Sequence, residues 1–126
     1  MNIPENLYYT RDHEWILIEG TEGKVGITDY AQSQLGDIVF LDIETVGKTL
    51  NQGDVFGTVE AVKTVSDLFL PMSGTVLMKN TELDSSPELV NKDPYGKGWL
   101  VKINISNPDE VKSLLDAAGY KALIAE

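Results

Sequence analysis

Lys63 is the residue of this chain whose setting is most unusual for its type. It lies in the run 57–67, where small and β-branched residues indicate a strand rather than a helix. A lysine between Val62 and Thr64, shortly before the apolar run 68–71, is expected if the amine is exposed at a bend or has been acylated. Acylation removes the charge and turns the side chain into a linker. We therefore predict that Lys63 is the main functional position.

Groups that catalysis usually needs are scarce in this sequence. His13 is the only histidine, and there is no cysteine, so neither a thiolate nucleophile nor a paired-histidine metal site can form. No serine has the context of a nucleophile elbow, and no glycine run has the spacing of a phosphate-binding loop. We predict that the chain is not an enzyme and that His13 is structural.

The charge balance narrows the classes of partner. The formal net charge of −10 repels phosphate backbones and anionic lipid surfaces, so neither nucleic acid nor a membrane is expected as a partner. The first residues, 1–6, resemble neither a secretory signal nor a transit segment, and no apolar run is long enough to span a bilayer. The expected location is the cytoplasm. A length of 126 residues with 42% hydrophobic content suits one domain.

Short runs rich in β-forming residues, separated by turn residues, predict a mostly β fold of the sandwich or small-barrel type. Trp15, Trp99, Phe40 and Phe69 have strand contexts and are predicted to be core residues. The predicted strands are 15–18, 24–27, 37–43, 55–62, 65–70, 74–78 and 98–105.

Two short helices are predicted between the strands. Thr28 is suited to cap a helix over 29–35, and Gly36 to adopt the left-handed conformation that ends it. Ser86 is predicted to cap a helical turn over 86–91.

The clearest helix signal lies at the C-terminus. Asn107 is placed to cap a helix, Pro108 to occupy its first turn, and Glu110 to complete a capping box. Gly119 is predicted to interrupt that helix.

Several motifs in order resemble known families. The segments 46–47, 53–54, 59–63 and 71–76 resemble the biotinyl/lipoyl carrier pattern, in which a lysine projects from a tight hairpin. The flanking motifs resemble the H-protein family of the glycine cleavage system, and the similarity runs from about Leu7 to Leu123. These motifs are His13-Glu14-Trp15, Gly26-Ile27-Thr28-Asp29, Ala31-Gln32, Leu35-Gly36-Asp37, Ser86 to Asn91, Pro94-Tyr95 and Gly98-Trp99.

The resemblance implies a barrel-sandwich hybrid like that of lipoyl domains, with a lysine-bearing hairpin, short peripheral helices and a C-terminal helix. Residues 1–126 would form one lipoyl-carrier domain, with a β core at about 15–105 and a helical extension at about 107–125. An (R)-lipoyl group would be attached to Lys63 through an amide. Chemistry would then belong to the prosthetic group, and the protein would attach, deliver and shelter it.

The resemblance also implies partners and further site residues. The carrier would shuttle the aminomethyl group of glycine from a pyridoxal-phosphate glycine decarboxylase to a tetrahydrofolate-dependent aminomethyltransferase, and then its dithiol to the FAD enzyme dihydrolipoyl dehydrogenase. Lipoylating enzymes would recognise the hairpin, with Glu60 assisting. Glu14 and Asp67 are the candidates for holding the ammonium of the cargo in a cleft. Transient docking to several enzymes suits a monomer.

Two alternatives remain open at this point. One is a lipoyl relay that donates lipoyl groups to other 2-oxo acid dehydrogenase complexes, and the other is an unmodified acidic interaction domain. The sequence departs from the usual family pattern at Tyr30, where histidine is common, and at Ala61, where serine is common. Both departures bear on contacts with the ligase or the cargo.

Overall fold

The chain forms two antiparallel β-sheets with short helices at their margins, in a computed structural model that describes residues 1–125. The strands are β1 (Tyr8–Tyr9), β2 (Glu14–Glu19), β3 (Glu22–Ile27), β4 (Ile38–Asp42), β5 (Thr49–Leu50), β6 (Val55–Ala61), β7 (Val65–Phe69), β8 (Gly74–Lys79) and β9 (Val101–Ile105). The helices are α1 (Asp29–Leu35), α2 (Leu89–Lys92) and α3 (Ala117–Ile124), with 3₁₀ segments at Thr81–Asp84 and Pro108–Ser113.

The larger sheet has six strands in the order β1-β2-β3-β9-β8-β5, and the smaller has three in the order β4-β6-β7. Neither sheet closes into a barrel. The predicted mostly β architecture with peripheral helices and a C-terminal helix is therefore confirmed. The two short strands β1 and β5 were not predicted, because two residues carry too little pattern to signal a strand.

Apolar side chains from both sheets form the main core, which includes Phe56, Leu68, Met72 and Ile103. A second cluster joins Tyr9, Trp15 and Tyr120, so that α3 packs against the start of the larger sheet. Burial of this apolar surface is the main favourable contribution to folding.

Phe40 was predicted to be a core residue, and that prediction is wrong because its side chain is 53% exposed. The register of β4 against β6 shifts between Ile38 and Phe40, at a bulge or irregularity. An extra residue breaks the alternation of faces, so Phe40 does not follow Ile38 into the core. Trp15 is fully buried, whereas Trp99 and Phe69 are half-buried.

The predicted helix α1 is confirmed together with its caps. The Thr28 hydroxyl accepts a hydrogen bond from the Ala31 N–H at 3.1 Å. Gly36 has a φ of +80°, which glycine adopts readily, and its N–H donates to the Gln32 carbonyl at 3.0 Å.

The helical turn after Pro87 begins later than predicted. Helix α2 starts at Leu89, and Glu88 before it makes no side-chain cap bond. Ser86 contributes its backbone carbonyl, which accepts the Leu89 N–H at 3.1 Å, so the predicted side-chain cap at Ser86 is wrong.

The C-terminal segment is not one helix interrupted at Gly119. The residues from Pro108 form a 3₁₀ segment, and Asn107 makes no side-chain cap bond. Leu115 then pairs with Tyr9 through two backbone hydrogen bonds of 2.8 Å, which ends the helical conformation. Helix α3 starts afresh after Asp116, whose carboxylate accepts the Gly119 N–H at 2.8 Å. Pairing with β1 therefore outweighs the local helix signal.

Among residues 1–125, no helix combines the length and apolar character that crossing a membrane requires.

Candidate functional site

Lys63 lies at the tip of the hairpin that joins β6 to β7. The Ala61 N–H donates to the Thr64 carbonyl at 2.8 Å and closes the turn. The side chains of Lys63 and its neighbours are exposed, with Val62 at 71% and Val65 at 59%. The amine therefore extends from a narrow projection where an enzyme can reach it.

Glu60 is the last but one residue of β6, and its exposed side chain follows the same hairpin. It pairs with Phe40 in the neighbouring strand β4 and with Val65 in the neighbouring strand β7. An acidic group thus lies beside two exposed apolar side chains near Lys63.

Glu14 and Asp67 line one cavity of about 330 Å³. Its walls come from the start of β2 and the residues before it, from the end of β3, from α1, and from β6 and β7. Lys63 and Glu60 do not line it, although β7 runs from the Lys63 hairpin directly into its wall at Asp67. The structure thus brings the two predicted cleft carboxylates together and places the lysine outside. A larger cavity of about 440 Å³ elsewhere is mainly apolar and contains none of the predicted site residues.

The Glu14 side chain is only 2% exposed. Its carboxylate accepts hydrogen bonds from the Thr10 hydroxyl at 2.8 Å and from the Phe69 N–H at 3.2 Å. Burial, with a smaller contribution from the nearby Asp12 charge, raises the pKa of Glu14 to about 8. The two hydrogen bonds lower this pKa, but burial has the larger effect. No cation pairs with Glu14 among residues 1–125. Glu14 also lines a neighbouring cavity of about 210 Å³, which Thr10 and Phe69 line as well. A cationic group that reached the Glu14 carboxylate would find a buried acceptor that lacks a counter-ion.

His13 was predicted to be structural, and it is also one of the residues that line the cavity. Its backbone has a φ of +69°, the single positive value for a non-glycine residue within 1–125. Its Nδ1 is 2.9 Å from the Tyr120 hydroxyl, which is 2.7 Å from the Thr28 hydroxyl. The Tyr30 ring lies beside it, with ring centroids 4.9 Å apart.

Sequence reasoning missed the participation of His13 and Tyr120 in this region, whereas Tyr30 was singled out as a departure that bears on contacts with the ligase or the cargo. Because His13 is next to Glu14 in the sequence, its place in the cavity could have been predicted. Tyr120 is 107 residues from His13 and reaches it only through folding. Within the part of the chain that is described, no three His, Asp or Glu side chains are grouped so as to hold a metal ion.

Comparison with known proteins assigns the fold and motifs to one family. A model of the family described as "Glycine cleavage H-protein" matches residues 7–126. The chain is 60% identical over 124 residues to a glycine cleavage system H protein from Bacteroides fragilis, covering 98% of both chains. It is 56% identical over 125 residues to the H protein from Symbiobacterium thermophilum, covering 99% of this chain and 98% of that one.

The three-dimensional comparison agrees. The crystal structure of a glycine cleavage system H protein from Mycobacterium marinum superposes with a TM-score of 0.90 at 40% identity, covering 98% of this chain and 100% of the other. With matches in sequence and structure over essentially its whole length, the chain belongs to the glycine cleavage H-protein family.

Proposed function

We propose that this protein is the lipoyl-bearing carrier of a glycine cleavage system, with the (R)-lipoyl group attached to Lys63. The observation that carries the proposal is the exposed Lys63 at the tip of a tight hairpin whose second strand leads into an acidic cavity. Family membership supports the same conclusion.

The residues present fit the prosthetic group. The Lys63 amine is exposed, so an enzyme can form an amide with it, and the turn holds it away from the sheets. When bound, the group would supply a disulfide whose S–S bond opens as one sulfur accepts the aminomethyl group; the dithiol left on the arm after transfer of that group would then be reoxidised. Tethering keeps the cargo at high effective concentration near each enzyme in turn.

The cavity walls have separate functions in this proposal. Glu14 and Asp67 hold the ammonium of the cargo, since a carboxylate forms a charge-assisted hydrogen bond that the unloaded arm cannot match. The apolar lining, which includes Leu35 and Leu68, limits the access of water to the cargo. Glu60 remains outside the cavity and contributes to recognition of the hairpin by lipoylating enzymes.

The partners follow from the same proposal. They are glycine decarboxylase, aminomethyltransferase, dihydrolipoyl dehydrogenase and the lipoylating enzymes. The protein is a non-catalytic subunit that acts in the cytoplasm. It is a monomer, because each partner must in turn reach the exposed hairpin.

The decisive experiment is intact mass and peptide mapping after expression in a host that lipoylates proteins. We expect one lipoyl increment, located on Lys63 and absent from the Lys63→Arg variant. Lys24, Lys48 and Lys79 serve as internal controls and should remain unmodified. A biotin increment would instead indicate carboxylase chemistry, and no increment in an active host would favour an unmodified interaction domain.

Two further assays separate the glycine cleavage carrier from a lipoyl relay. Glycine decarboxylation with bicarbonate exchange should depend on the lipoylated protein and be lost with Lys63→Arg. Transfer of the lipoyl group to another carrier domain, without support of glycine decarboxylation, would contradict the proposed function and favour the relay.

A further inference from the structure

The hydrogen-bond chain behind His13 determines which ring nitrogen carries the proton. Thr28 is fully buried, and its hydroxyl oxygen already accepts the Ala31 N–H at 3.1 Å. The Tyr120 hydroxyl, at 2.7 Å, is the acceptor that the described residues offer for the Thr28 proton. Because a buried hydroxyl without an acceptor is costly, Thr28 donates to Tyr120.

Tyr120 must then direct its own proton elsewhere. His13 Nδ1 lies 2.9 Å from the Tyr120 hydroxyl and is therefore the acceptor of that proton. An accepting Nδ1 carries no hydrogen, so the ring proton of the neutral imidazole is on Nε2.

The accessibility of the other ring nitrogen, Nε2, follows from the hydrogen bonds of the described residues. Every buried side-chain nitrogen or oxygen among residues 1–125 has a hydrogen-bond partner, whereas Nε2 of His13 has none there. Nε2 is therefore accessible, and His13 is one of the residues that line the 330 Å³ cavity.

We propose that Thr28 and Tyr120 lock His13 as its Nε2–H tautomer, and that His13 is a further binding residue of the cleft, donating to a sulfur of the bound arm. The inference rests on the proposed function, because it takes the cavity to be the place where the arm binds. In this arrangement His13 contacts the arm, and Tyr120 and Thr28 act as positioning residues.

The surroundings hold His13 in place and favour its neutral form. Its N–H donates to the Thr10 carbonyl at 3.2 Å, and its carbonyl accepts the Thr28 N–H at 3.0 Å, which compensates for the left-handed backbone. Burial lowers the pKa of His13, and the neighbouring Asp12 charge opposes that effect. The other titratable groups that line the cavity are Glu14, Asp67 and Tyr30, with Tyr120 behind the ring.

A sulfur atom is the acceptor that fits this donor. Glu14 and Asp67 are suited to the cationic end of the cargo, and once an ammonium favours the ionised form of Glu14 neither carboxylate can donate. The amide carbonyl of the arm would be joined to Lys63, which does not line the cavity. The sulfurs are at the far end of the arm, so they are the acceptors that can enter beside Glu14.

Nitrogen NMR of the imidazole tests the lock without any arm attached, and His13 gives the only histidine signals because the chain has one histidine. At neutral pH the unmodified protein should show a protonated Nε2 and an unprotonated Nδ1. In Tyr120→Phe both tautomers should be populated, and the pKa of His13 should change. A protonated Nδ1 in the unmodified protein, or an unaltered spectrum in Tyr120→Phe, would overturn the lock.

Tyr9→Phe is the matched control. Tyr9 stacks on Tyr120 with ring centroids 4.7 Å apart, and its hydroxyl donates to the Pro4 carbonyl rather than to His13. This variant should retain the Nε2–H tautomer, as should Thr28→Ser, which keeps the hydroxyl. If these two variants keep the tautomer and Tyr120→Phe does not, the change is due to loss of the Tyr120 hydroxyl and not to loosening of the aromatic cluster.

The donor role is tested on lipoylated protein whose modification has been verified by mass. The arm is reduced and loaded with formaldehyde and ammonium, and the Nε2–H signal is compared with that of identically treated Lys63→Arg. A change of the signal confined to the loaded, lipoylated protein is expected, and an unchanged signal would overturn the donor role. Absence of the lipoyl increment itself would instead count against the proposed function.

Discussion

Glu14 illustrates how burial prepares a single residue for a ligand. A carboxyl group that is 2% exposed, without a counter-ion among residues 1–125, retains its proton to a higher pH than usual. An entering ammonium would supply the missing positive charge and favour release of that proton. Under the proposed function, binding of the cargo and ionisation of Glu14 would therefore be coupled, so retention of the cargo should strengthen as the pH rises toward 8.

Glu14→Gln should change the pH dependence of stability. The pKa of Glu14 is about 8 in the folded chain against 4.5 ordinarily, so between these pH values the folded state binds more protons than the unfolded state. The contribution of Glu14 to the free energy of unfolding should therefore be fully present below about pH 4.5. It should decrease as the pH rises to 8. Each pKa unit corresponds to about 1.4 kcal/mol, so the decrease amounts to a few kcal/mol.

Denaturant unfolding measured across this pH range checks the prediction. Glu14→Gln should remove most of the slope, because the amide does not titrate. Glu19→Gln, at the exposed end of the same strand, is the matched control and should leave the slope unchanged. Equal slopes in the parent and Glu14→Gln would contradict the assigned burial effect.

At the scale of elements, the C-terminal 3₁₀ segment is joined to the β core by one side chain. The Glu110 carboxylate accepts the Ser73 N–H at 2.7 Å and the Ser73 hydroxyl at 2.8 Å. The Ser73 hydroxyl oxygen in turn accepts the Gln52 N–H at 2.8 Å. Glu110 therefore ties the segment that precedes α3 to the turns beside β5 and β8, instead of capping its own helix.

Glu110→Ala should destabilise the protein by about 1–3 kcal/mol, since it leaves the partly buried Ser73 donors without their charged acceptor. Denaturant unfolding measures the change, and Asp109→Ala, a neighbouring exposed acid, should have little effect. We propose that the β core and the C-terminal segment form one domain, so a single transition is expected in both variants. Separate transitions for the two regions would contradict it.

At the scale of the whole molecule, charge and shape separate two functions. The net charge of −10 supplies a long-range field that favours docking to basic surfaces on partner enzymes. Lys63 lies at the exposed tip of the β6–β7 hairpin, and under the proposed function the cavity is a second place for the arm that it would carry. Docking and shelter are thus assigned to different parts of one small protein.

The rate of lipoylation of Lys63 should fall as ionic strength increases, because salt screens the attraction between this acidic protein and a basic enzyme surface. Initial rates at low substrate concentration measure the effect. Glu60→Gln should lower the rate more than Glu22→Gln, which removes the same charge at the distant β2–β3 turn. A rate that is independent of salt, with equal effects of both variants, would contradict a contribution of Glu60 to docking.

The sequence by itself determined the mostly β class, helix α1 with its caps, and the positions of most strands. These features depend on near neighbours, namely alternation of apolar residues, capping side chains and turn residues, so they can be recognised locally. The family was likewise recognisable from its motifs, and with it the candidate residues Lys63, Glu14, Asp67 and Glu60.

Only the tertiary structure decided the features that depend on contacts between distant residues. The pairing of Leu115 with Tyr9 divided the predicted C-terminal helix, and the register shift in β4 turned Phe40 outward. Tyr120 reaches His13 across 107 residues, and on this contact the proposed tautomer of His13 depends. Local propensities are worth fractions of a kcal/mol per residue, and long-range hydrogen bonds and packing outweigh them where the two conflict.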